Sequence, residues 1–72
     1  MPVMNPVPRP ELRAARLAAG ITARAAGDLI GRTESTYAKI ERGEVRLTRA
    51  LAEILAPAYG VTVESILPPD AP

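Results

Sequence analysis

Six of the chain's nine basic side chains, Arg24, Arg32, Lys39, Arg42, Arg46 and Arg49, fall between residues 24 and 49, interleaved with Asp28, Glu34, Glu41 and Glu44. Cations at such intervals can neutralise a row of phosphates, and a carboxylate among them can accept a hydrogen bond from a base amine. The same pattern also describes a solvated face of offsetting charges. Histidine and cysteine are absent, which removes disulfides, the usual zinc sites and the imidazole and thiolate chemistry of many catalysts. No glycine loop suited to cradling phosphates is evident, nor are paired carboxylates in a pocket, so the chain reads as non-enzymatic, with no cofactor, metal or small-molecule ligand.

Those side chains need helices to position them. Four of the five threonines, Thr22, Thr33, Thr48 and Thr62, stand just before helix-like runs, where a side-chain oxygen can accept from an orphan amide of the first turn. Ile21 with Ala26, Leu47 with Ala52 and Val61 with Ile66 have the spacing of hydrophobic staples around three of these caps. The predicted helices run from about Pro10 to Ala19, from after Thr22 to near Ile30, from Glu34 to about Glu41, from after Thr48 toward Gly60, and from Val63 to about Leu67. Gly20, Gly31, Gly43 and Gly60 supply the stops. Pro57 is expected to kink or shorten the fourth helix, because it removes the amide that would bond the Glu53 carbonyl. Residues 1–9 read as an extended or disordered arm, 10–67 as the folded domain and 68–72 as a tail.

The third helix is apolar on one side only. Ile30, Tyr37 and Ile40 are the expected inward anchors, and Ala26 with Gly27 supplies the small residues needed where two helix backbones approach. Tyr37 is expected to keep its hydroxyl at the surface. Glu34, Ser35, Ala38, Lys39 and Arg42 remain on the outer face. Two helices joined by a short glycine-containing turn form a helix-turn-helix unit, whose second helix enters the major groove. A plainer reading makes Glu34 a helix-dipole residue, Lys39 and Arg42 solvated charges, and Leu17 and Leu29 ordinary exposed leucines.

From Leu12 to Leu67 the chain resembles the DNA-binding domain of lambda- and Cro-type phage repressors, also known from the xenobiotic response element regulators. The residues that carry the likeness are "LRAAR" with Leu12 and Arg16, "GIT" at residues 20–22, Gly31, Thr33, "IERGE" at 40–44 and "YGVTVESIL" at 59–67. The resemblance implies an all-α, compact five-helix domain in a cytoplasmic, sequence-specific regulator that binds double-stranded DNA as a homodimer on a near-palindromic operator. It further implies base or phosphate contacts from Thr33, Glu34, Ser35 and Lys39, and an internal ion pair between Arg16 and Glu41. The chain departs from the family pattern at Ala23, where a phosphate-contacting glutamine is common, at Glu34, and at Arg32, which replaces a small apolar plug.

Arg24, Arg32 and Arg42 are the expected phosphate contacts, Arg46 is a further DNA contact, and Glu34 with Lys39 reads bases. Thirteen alanines and two aromatic residues make a thin core, which a second subunit would support; Val63, Ile66 and Leu67 are the expected dimer contacts. No apolar run approaches membrane-spanning length, and the short chain leaves no room for a ligand-binding second domain. A phage repressor, a restriction-modification controller and an antitoxin-like regulator all fit. The alternative is a protein-interaction or inhibitor module that kept the helix-turn-helix fold without DNA binding, favoured by the net charge of only +1.

Overall fold

The computed structural model describes residues 9–67. Residues 1–8 of the expected arm and the tail from Pro68 lie outside this range, whereas Arg9, expected in the arm, directly precedes α1. Five helices follow in order: α1 Pro10–Ala18, α2 Ala23–Leu29, α3 Glu34–Glu41, α4 Arg49–Tyr59 and α5 Val63–Ile66. No strand occurs among the described residues, and none of their helices is long and apolar enough to cross a membrane.

Local chemistry starts and stops these helices. Thr22, Thr33, Thr48 and Thr62 each accept a hydrogen bond from the amide three residues on, at 3.1 to 3.3 Å. Pro10 opens α1, where the missing amide would have had no partner. Gly31 ends α2 with φ +68°, a backbone region that costs an L side chain energy. That conformation lets the Arg32 amide reach the Gly27 carbonyl at 2.8 Å while the Gly31 amide reaches Asp28 at 3.2 Å. The same pair of bonds closes α1, α3 and α4.

Pro57 does not shorten α4, which continues to Tyr59. Glu53 and Pro57 are both exposed, so the carbonyl left without an amide partner lies on the solvated side of the helix, where water can satisfy it. The opposite side carries Ala52, Leu55, Ala56 and Tyr59, all buried and spaced as one helical stripe.

The core draws on every helix: Leu12 from α1, Ala26 from α2, with Ile30 at its end, Tyr37 and Ile40 from α3, the α4 stripe, Leu47 from the preceding loop and Ile66 from α5. All three staple pairs are buried in this core or packed against it. Tyr37 corrects one expectation. Its hydroxyl is not at the surface but buried, 2.7 Å from the hydroxyl of Tyr59. Each tyrosine thus gives the other the partner that a buried hydroxyl needs. Ile66 corrects a second. It is 1% exposed within a single subunit, so it seals α5 to its own core and has no surface to offer a second copy. Val63 and Leu67 are only partly covered.

Candidate nucleic-acid interface

α3 is held at both ends. At its start, Gly27 of α2 lies so close that a Cβ there would meet the carbonyl oxygens of Thr33 and Arg32 at 2.9 and 3.0 Å. Only glycine admits this approach, and it brings the α2 backbone against the turn that launches α3. At the other end, Arg16 of α1 forks onto Glu41: Nε donates to Oε2 at 2.7 Å and Nη2 to Oε1 at 3.2 Å. Nη1 donates to the Ile21 carbonyl at 3.0 Å, so this one guanidinium joins α1, the α1–α2 turn and α3. Its carbon also stands 5.9 Å from the centre of the Tyr37 ring. The hydrogen bond with Glu41 raises the pKa of Arg16 against the opposing effect of burial. The amide of Arg9 adds a bond to the Glu41 carbonyl at 2.8 Å.

Held in this way, α3 buries Tyr37 and Ile40 and exposes Glu34, Ser35 and Lys39, with Ala38 half-buried between them. Glu34 occupies the first turn, where a carboxylate faces the positive end of the helix dipole. Neither Glu34 nor Lys39 forms an ion pair among the described residues, so both side chains are available to a partner. Thr33 is exposed and caps α3: its oxygen accepts from the Thr36 amide and its hydroxyl donates to the Thr36 hydroxyl, both at 3.1 Å.

The basic residues divide by environment. Arg24 is exposed on α2 with no ion pair among the described residues. Arg32 is exposed but curls back, donating to the carbonyls of Ile30 and Gly31 at 3.4 and 3.3 Å. Arg42 donates to Glu44 at 2.6 Å on an exposed surface, and that bond draws the Glu44 pKa below the usual carboxylate value. Arg46 is exposed in the loop before α4. Arg49 is engaged with Glu53 and Glu64.

Beside α3 lies an open cleft of about 710 Å³ between the start of α1, the first residue of α2 and the outer side of α3. Arg9 and Arg13 reach it, neither of which the sequence pattern had marked. Their spacing with Arg16, four and then three residues, is that of one helical face; that periodicity was the available signal.

A tight α2–turn–α3 pair inside a five-helix core, with the second helix polar outward, defines a helix-turn-helix domain. The family model for the helix-turn-helix domain matches residues 10–66. The chain belongs to that family, in keeping with its likeness to the lambda- and Cro-type repressors, and with it to a class of DNA-binding regulators. Neither the curated proteins nor the solved structures returned a match.

Proposed function

We propose that the chain is a compact, dimeric, sequence-specific transcriptional regulator, a repressor that reads a near-palindromic operator through α3. The observation that carries this reading is the polarity of α3: one helix, fixed at both ends, turns Tyr37 and Ile40 inward and Glu34, Ser35 and Lys39 outward. That polar face belongs to the second helix of the helix-turn-helix unit, the one that enters the major groove in proteins of this class. In this reading Glu34 accepts from cytosine N4, and Lys39, five residues on, donates to guanine. Arg24, Arg32, Arg42 and Arg46 stand near enough in the chain to grip flanking phosphates, once Arg42 exchanges Glu44 for one. The dimer contact rests on Val63 and Leu67 without Ile66.

A second reading, a protein-interaction module, draws support from the exposed Leu17, Leu29 and Ile54 and from the internal neutralisation of Arg16 and Arg42. Selection of bound duplexes from a random pool, followed by fluorescence anisotropy at two salt concentrations, separates the two. Regulation through DNA requires a recovered consensus and an affinity that falls steeply with salt. Failure to bind any duplex above background at low salt supports the interaction module instead.

A further inference from the structure

The cleft beside α3 has an uneven charge ledger. Glu41 and Glu44 line it together with Arg9, Arg13, Arg16 and Arg42. Glu41 is taken up by Arg16 and Glu44 by Arg42. Arg9 and Arg13 are left over, with no ion pair among the described residues. Nε of Arg9 is buried and makes no hydrogen bond among them, although the backbone of Arg9 is pinned to Glu41. A buried guanidinium donor without an acceptor is unfavourable until a ligand supplies one. The walls contributed by α2 and α3 are Ala23 and Ala38, too small to close the space. The result is an open cleft with one buried, unsatisfied guanidinium donor on Arg9 and a second, exposed guanidinium on Arg13 that no carboxylate among the described residues engages, next to the helix proposed to face bases.

We propose that this cleft seats a backbone phosphate of the bound DNA, held by Arg9 and Arg13. Guanidinium forks match phosphate oxygens in two-point geometry, which suits this task better than a point charge. The seat lies on the α1 side of α3 and extends the grip beyond the helix-turn-helix pair, and Ala23 in its lining has only a methyl group, which cannot bind a phosphate itself. Glu44 tempers the seat by holding Arg42 away from the incoming anion.

This inference rests on the DNA-binding reading, and the experiment keeps the two separable. Anisotropy titrations over a fourfold salt range are run on a duplex recovered by selection and on an unrelated duplex of the same length. The proteins are the wild type, the double variant Arg9→Ala/Arg13→Ala and the single variant Glu44→Gln, with folding checked by circular dichroism. Each lost phosphate contact lowers the logarithmic salt slope by about one, so the double variant, which loses the one seat, is expected about one lower, with weaker binding to both duplexes and the same base preference. Glu44→Gln is expected to bind both duplexes more tightly with a steeper slope, a gain that misfolding cannot imitate. A neutral methylphosphonate walked along the selected duplex is expected to find one position that weakens the wild type and leaves the double variant unchanged. A wild-type slope in the double variant overturns the phosphate seat while leaving DNA binding intact. A wild type that binds neither duplex overturns both readings.

Discussion

Arg16 joins three parts of the fold through one side chain. It touches Glu41, the Ile21 carbonyl and the face of Tyr37, and both members of the ion pair have side chains only 10% exposed. Removing either Arg16 or Glu41 therefore strands the other, and each single alanine variant is expected to lose about 3 to 5 kcal/mol in urea unfolding. The double variant is expected to lose less than the sum; additive losses would show two residues that are adjacent but not coupled. Glu34 gives the opposite kind of prediction. It is exposed and outside the core, so Glu34→Ala is expected to leave the unfolding midpoint nearly unchanged. Its effect belongs to binding: loss of about 1 to 3 kcal/mol of discrimination at one base pair per half-site, read by anisotropy against single-base operator variants. An unaltered preference at every position would reduce Glu34 to a dipole residue.

The helices were legible in the sequence where their chemistry is local. A threonine caps an amide three residues away and a glycine releases the chain at the other end, so four starts and four stops follow from neighbours alone. Pro57 does not shorten α4 in part because the carbonyl it orphans is solvated, and that exposure is decided by the rest of the fold. The partner of the Tyr37 hydroxyl lies 22 residues away on α4, and the cleft needs α1, α2 and α3 in place before it exists. Gly27 stands between these cases: the need for a small residue was readable, but not the 2.9 Å that enforces it. In a helix interior Gly→Ala normally stabilises by about 1 kcal/mol. Here the obstacle is backbone, which cannot rotate aside, and overpacking costs of about 1 to 3 kcal/mol win. Gly27→Ala is expected to lower the melting temperature and, by displacing Thr33 and the start of α3, to blunt base discrimination in the population that remains folded.

Across the whole molecule, two tests address stability and assembly. Burial raises the pKa of Tyr37, and the bond with Tyr59 raises it further; burial also raises that of Tyr59, although its bond with Tyr37 opposes the shift. The unfolded chain releases these protons near pH 10, whereas the folded one keeps them. The stabilisation is thus complete below about pH 10 and lost above it, by up to about 1.4 kcal/mol per pH unit for each tyrosine. Urea midpoints are expected to fall on that side, and the fall is expected to flatten in Tyr37→Phe/Tyr59→Phe. Assembly is tested by sedimentation at tens of micromolar, where the proposed dimer is expected, and Val63→Glu or Leu67→Glu is expected to yield a folded monomer. Ile66→Glu is expected to unfold the chain instead, since Ile66 lies in the core.

The tyrosine pair also determines what optical spectroscopy can observe in this molecule. The chain has no tryptophan or phenylalanine, and Tyr37 and Tyr59 are its only aromatic residues. Near-ultraviolet ellipticity and intrinsic emission therefore arise from one buried junction between α3 and α4. A ligand-induced change in either signal reports on the seating of α3 against α4, with no background from the rest of the chain. Unfolding followed by this signal and by helical ellipticity compares one internal joint with the backbone as a whole, and coincident transitions would show that the helices separate in a single step.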